Sequence, residues 1–166
     1  LSDFVKKYPG HELFWNAQMA AANAAVQNNE PEKAALHAES AVQNASGDAE
    51  TEEAVLLCAE IYTDSKKYKK ALDLLSPYTK RSAEFGMKSI YKTGQIYEKQ
   101  LDLSSADAAY KSLAQKFPGE KLAEEAMYRR GEMFFSAEMY DDAISRFNEY
   151  ARKYPAGNFV DAAWYF

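Results

Sequence analysis

Apolar and small residues recur along the chain at spacings of three and four, and short polar stretches interrupt them at regular intervals. The clearest instance runs from Glu124 to Gly157. Met127, Gly131 and Phe134 fall on one face of a first helix; Ala143, Phe147 and Tyr150 recur at helical spacing in a second, and Pro155 stops it. A single pair of this kind cannot bury its own apolar faces, so the pattern predicts stacked neighbours and a solenoid of helix pairs.

The same spacing can be laid over most of the chain. Ala34, Ala71, Ala106 and Ala143 follow one another at steps of 37, 35 and 37 residues. Ala22, Ala59 and Gly94 stand where Gly131 does, and Ala25, Tyr62 and Tyr97 where Phe134 does. A small residue followed by a bulky one fits a tight helix crossing with a ring filling the wider gap beyond it. Helices are predicted at 11–28, 31–45, 50–64, 67–82, 84–100, 103–117, 120–137 and 140–154, and no strand is predicted. They compose four complete units, 11–46, 48–83, 84–119 and 120–157, with half units at 1–9 and 158–166, in one solenoid over 1–166. LSDFVKKYPG overlays FNEYARKYPA, and DAAWYF overlays the start of a first helix, so the chain is expected to be a piece of a longer protein. Its broken ends would then expose apolar surface through which copies could self-associate. Pro77 lies inside the fourth predicted helix, where it removes a hydrogen bond, and a kink or early stop is expected near Ser76.

Composition narrows the function classes. The formal net charge of -5, with lysines and carboxylates interspersed, argues against a nucleic-acid partner. No apolar stretch approaches the roughly 20 residues needed to span a bilayer, so no direct membrane insertion is expected. The single cysteine, Cys58, sits in an apolar run and reads as a buried structural thiol. His11 and His37 lie in different units without metal-ligand spacing and read as surface or boundary residues. No phosphate loop, nucleophile elbow or HExxH motif is present, and no cofactor or catalytic activity is expected. The pairs Glu52-Glu53, Glu124-Glu125 and Asp141-Asp142 sit in first turns of predicted helices, where they complement the macrodipole.

The small residue, the ring three later, the second-helix alanine, the bulky residue four beyond it and the terminal proline resemble the tetratricopeptide repeat. Gly131, Phe134, Ala143, Phe147 and Pro155 carry the resemblance in the last complete unit, and Gly94, Tyr97, Ala106, Tyr110 and Pro118 in the one before. The first unit departs most, with Ala22, Ala25 and Ala38 replacing glycine and rings, so its packing should be closer and poorer in aromatics. The Lys-Tyr-Pro and Lys-Phe-Pro endings of the lengthened units are similar to repeats of bacterial cell-envelope proteins, such as the periplasmic Tol-Pal coordinator and the outer-membrane lipoprotein of the barrel-assembly machinery. The resemblance implies an all-α, right-handed superhelical solenoid of antiparallel helix pairs and a periplasmic or envelope location, with the cytoplasm as the alternative.

It also implies an interaction scaffold whose first helices line a concave face. The positions there not needed for packing are Asn16, Met19 and Asn23; Glu53, Leu56 and Glu60; Lys88, Tyr91 and Gln95; and Glu125, Tyr128 and Glu132. Met19, Leu56, Tyr91 and Tyr128 form a line flanked by more carboxylates than lysines, which suits a peptide or helix of a protein partner, one with basic character. Asn23, Lys88 and Lys92 fall on positions of the family's carboxylate clamp, with Met19 and Leu57 replacing the other two members. The alternatives are a self-assembling structural array and the docking arm of an enzyme or regulator whose active domain lies outside this sequence.

Overall fold

The computed structural model describes residues 13–165, the Tyr165 side chain excepted, so the expected half unit at 1–9 and His11 lie outside the described residues. The described residues form helices α1 (Phe14–Gln27), α2 (Pro31–Asn44), α3 (Asp48–Asp64), α4 (Tyr68–Leu75), α5 (Glu84–Lys99), α6 (Leu103–Lys116), α7 (Lys121–Ser136), α8 (Tyr140–Lys153) and α9 (Val160–Tyr165), with no strand among them. The chain divides into two compact units, one ending at Leu75 and the other beginning at Ser76. In the first, α1 packs on α2, α2 on α3 and α3 on α4; in the second, α5 packs on α6 and α7, α6 on α7, α7 on α8 and α8 on α9.

Each pair closes with the same turn. Asn29, Lys66, Leu101 and Glu138 all adopt φ between 56° and 62°, in the left-handed region. The next residue's N–H then reaches back across the turn: Glu30 to the carbonyl of Ala25 (2.8 Å), Lys67 to Tyr62 (2.7 Å), Asp102 to Tyr97 (3.0 Å) and Met139 to Phe134 (2.9 Å). These are the bonds of a Schellman motif, which satisfies carbonyls left over at the helix end. Three of the four left-handed positions hold residues that pay for the conformation. Replacing the exposed Glu138 by glycine should relieve about 1–2 kcal/mol of backbone strain against about 0.5–1 kcal/mol of extra chain entropy. A rise in thermal midpoint is therefore expected, measurable by circular dichroism.

Helix starts follow local chemistry. Pro31 opens α2 at the position where its missing N–H is harmless. α3 begins two residues earlier than predicted, because Glu50 accepts from Ser46 N (2.7 Å) and Ser46 Oγ (2.8 Å) and holds the first turn. The predicted helix 67–82 ends at Leu75, and turns follow through Lys80, the early stop expected before Pro77. In that connection the Lys116 ammonium donates to the carbonyls of Thr79 (2.9 Å) and Arg81 (2.6 Å), which helix bonds leave free.

The two cores differ as the residues dictate. In the first unit Ala22, Ala34, Ala38 and Ala41 are fully buried, and close approach of the helices replaces large side chains. Cys58 is buried there, and burial first, then the Glu39 carboxylate, pushes its thiol up to about 11. In the second unit Tyr110, Leu113, Met127, Phe134, Phe147 and Tyr150 make one continuous apolar cluster. Gly94 and Gly131 lie flat beneath the Tyr110 and Phe147 rings; a Cβ at Gly131 would come within 2.4 Å of Phe147.

That second core contains a charge the sequence reading did not anticipate. Arg130 is 1% exposed. Its guanidinium donates to Asp107 of α6 (2.8 Å) and Glu149 of α8 (2.9 Å), and Asp107 also accepts from Arg146 (2.8 Å). Three helices are thus tied by one alternating set of charges. Burial alone would raise the Asp107 carboxyl, but the hydrogen bonds from Arg130 and Arg146 overcome it and hold the group below its ordinary value.

Candidate functional site

The candidates divide sharply by burial. In the first unit Asn16, Asn23, Glu53 and Glu60 are exposed and Leu56 is half-buried, whereas Met19 is 6% exposed and packs against Ala41 and Ala54. In the second unit Lys88, Tyr91, Lys92, Gln95 and Glu125 are half-buried and Glu132 is exposed. Lys88 pairs with Glu84 at 2.8 Å. Tyr128 is 7% exposed: its ring stacks on Phe159 at 4.7 Å and meets Phe147 at 5.4 Å. Met19 and Tyr128 therefore belong largely to the packing and offer little surface. Their helical positions turn partly toward neighbouring elements, a direction that only the stacking of helices decides.

Between α5 and α7 a polar network replaces the simple line expected. The Tyr91 hydroxyl donates to Glu125. Its ring lies 5.5 Å from that of Tyr110, whose hydroxyl donates to Glu98 (2.6 Å). Glu98 also receives the Arg129 fork, Nε at 2.7 Å and Nη2 at 3.0 Å. Burial, and then the Glu125 carboxylate, pushes the Tyr91 phenol upward; burial and then Glu98 do the same to Tyr110. The hydrogen bond to Glu98 raises the Arg129 guanidinium further still. The raised Tyr91 and Tyr110 phenols remain donors at neutral pH, and with the Arg129–Glu98 fork their hydrogen bonds fix these side chains as a rigid surface.

Glu132 stands beside it with no hydrogen bond or ion pair among the described residues. Although exposed, its carboxyl is raised, first by desolvation against the surrounding walls; Arg129 opposes this, and Glu98 and Glu125 add to it. Glu132, Glu98, Arg129, Leu101, Leu103 and Met133 line a cleft of about 360 Å³. In the first unit Asn23, Val26, Leu57, Glu60, Ile61 and Asp64 line one of about 410 Å³.

A second lock involves the carboxylate pair read as helix-dipole partners. Glu125 is the acceptor for Tyr91. Glu124 accepts the Tyr150 hydroxyl (2.8 Å) and both nitrogens of Asn158, the side-chain one at 3.1 Å, while Tyr150 Oη accepts from Phe159 N at 3.0 Å. Both carboxylates thus serve cross-helix hydrogen bonds. A Cβ on Gly157 would fall 2.4 Å from the Tyr150 oxygen and 2.7 Å from Glu124 Oε1, so a larger residue here would have to displace the hydrogen bond between them. His37 is half-buried, its Nδ1 2.8 Å from Oε1 of the buried Gln18, and it joins α1 to α2.

Glu98 and Arg129 were absent from the sequence expectation. The position of Glu98, four residues beyond the small helix-crossing residue, is Val26, Thr63 and Phe135 in the other pairs, and that departure was the available signal. Among the described residues no cluster of His, Cys, Asp or Glu could hold a metal ion, and no helix is long and apolar enough to cross a membrane.

Comparison with known proteins agrees with this architecture. Two crystal structures of MamA share the fold: one at TM-score 0.61 and 16% identity, covering 89% of this chain and 82% of that one, the other at TM-score 0.60 and 14% identity, covering 87% and 75%. No curated protein matches the chain by sequence. The family profile described as tetratricopeptide repeat matches residues 125–156. The profile described as tetratricopeptide repeat-like domain matches residues 1–130, most of the chain, and the chain belongs to that family of helical-repeat interaction modules.

Proposed function

We propose that this protein is a non-enzymatic scaffold that holds a segment of a partner protein, a peptide or a helix, along the face of its first helices, the side we read as concave, and that it works in the bacterial cell envelope. The observation that carries the binding reading is the α5–α7 surface. Gln95, Glu125 and Glu132 remain at least partly accessible, as does the half-buried Tyr91, whose ring packs on the edge of the apolar cluster, and a hydrogen bond between Tyr91 and Glu125 fixes those two in place. Such a face needs little ordering when a partner docks, which lowers the entropic cost of binding. The location rests on the similarity of the Lys-Tyr-Pro unit endings to envelope repeats.

Selection of a random dodecamer library displayed on phage against the purified protein tests the binding. Enriched peptides are expected to bind at micromolar strength and to lose about tenfold with Tyr91→Ala/Gln95→Ala, a change that leaves the buried Tyr128 alone. Failure to enrich any peptide, or binding indifferent to that double change in a protein of unaltered helicity, would remove the proposal. Fractionation of cells making the full-length protein tests the location separately; recovery with the cytosol would exclude the envelope.

A further inference from the structure

The clefts of the two units occupy the same place in the repeat. Val26 and Glu98, Pro31 and Leu103, and Glu60 and Glu132 are pairs of lining residues each 72 positions apart. So are Asn29 and Leu101, the left-handed residues of the closing turns. The cleft is therefore a product of the helix-pair geometry. In each unit it forms where the ends of two successive first helices flank a Schellman turn, α1 and α3 in the first and α5 and α7 in the second.

The chemistry of the α5–α7 cleft is amphipathic and net negative. Met133, Leu103 and the 83% exposed Leu101 supply apolar wall. Arg129, the cation of the cleft, is held by both oxygens of Glu98, so those two charges cancel locally. Glu132 remains, an exposed lining carboxylate with no hydrogen bond or ion pair among the described residues. An anionic group entering here would meet that carboxylate, and a wholly apolar one would bury it unpaired. A side chain with an aliphatic stem and a cationic tip satisfies both the wall and the charge.

We propose that the α5–α7 cleft is a subsite for a lysine or arginine side chain of the bound segment, its stem lying on Leu101, Leu103 and Met133 and its cation paired with Glu132. The assignment rests on the scaffold reading above and adds what the segment must carry. Ion pairing at a partly desolvated carboxylate is stronger than at an open surface and gives the bound segment a fixed register.

The dodecamers enriched by the phage selection supply the probe. Each is resynthesised with its Lys or Arg changed one at a time to norleucine, and affinities are measured for the wild type and for Glu132→Gln. Because Glu132 is exposed and unbonded, the variant should keep its fold and its thermal midpoint. One basic position is expected to lose about tenfold when changed to norleucine in the wild type and nothing further in Glu132→Gln. Enriched peptides without a basic residue, or norleucine losses equal in both proteins, would overturn the subsite while leaving the scaffold reading intact. A selection that enriches no peptide would overturn both.

Discussion

Asp107→Asn should destabilise the second unit by about 3 kcal/mol, the range expected when one partner is removed from a buried ion pair. The Arg130 guanidinium is 1% exposed and cannot turn to water. Without the Asp107 charge it keeps Glu149, but Asp107 is also the acceptor for Arg146, so two cations lose one counter-charge. Urea unfolding followed by circular dichroism gives the magnitude. The pH dependence gives the cause. Asp107 is held below its ordinary value of about 4, so its contribution is fully present above that value and is lost as pH falls through the depressed one. The gap between wild type and variant should therefore be constant near neutrality and close on acidification below about pH 4. A gap that persists undiminished into strong acid would mean that packing, not charge, explains the loss.

Gly131→Ala should also destabilise, by about 2 kcal/mol, although alanine is the better helix former by about 1 kcal/mol. The added methyl would sit 2.4 Å from the Phe147 ring, which is 2% exposed and enclosed by Tyr128. Phe147→Ala alone should cost about 4 kcal/mol through the cavity it leaves. In that background the effect of Gly131→Ala is expected to change sign and become stabilising by about 1 kcal/mol, since the clash is gone and only helix propensity remains. Chemical denaturation of the four proteins measures the coupling. Additive costs would show that the glycine serves the backbone and not the ring above it.

The helix pairs were legible because the period of the apolar positions is local. Gly131, Phe134, Ala143 and Phe147 announce a crossing of two helices by their spacing alone, and Pro77 announces a stop by its missing N–H. The buried charges were hidden in that same periodicity. Arg130 stands where the other pairs have Ala21, Cys58 and Thr93, and Asp107 where they have Ala35, Leu72 and Ile144. Two opposite charges replacing small or apolar residues at neighbouring repeat positions were the visible trace of the ion pair. A single position viewed in its own helix looks like an ordinary solvated charge.

The candidate binding face was legible only in outline. Helical spacing placed Tyr91 and Tyr128 on equivalent positions, yet Tyr91 hydrogen-bonds Glu125 at the surface and Tyr128 lies beneath Phe159. The difference comes from what packs on each, and that information is not carried by either helix.

By itself the sequence determined the all-helical architecture, the length of the repeat, the positions of the turns and the small-against-ring crossings, because each of these depends on periodicity and on backbone rules that act within a few residues. Tertiary structure alone decided which charges are buried, which of two equivalent tyrosines meets solvent, and that the ends of α5 and α7 flank a cleft lined by the exposed Glu132. Those outcomes depend on desolvation and on contacts between residues more than twenty positions apart, such as Arg130 with Asp107 and Arg129 with Glu98, which stacking of the helix pairs brings together.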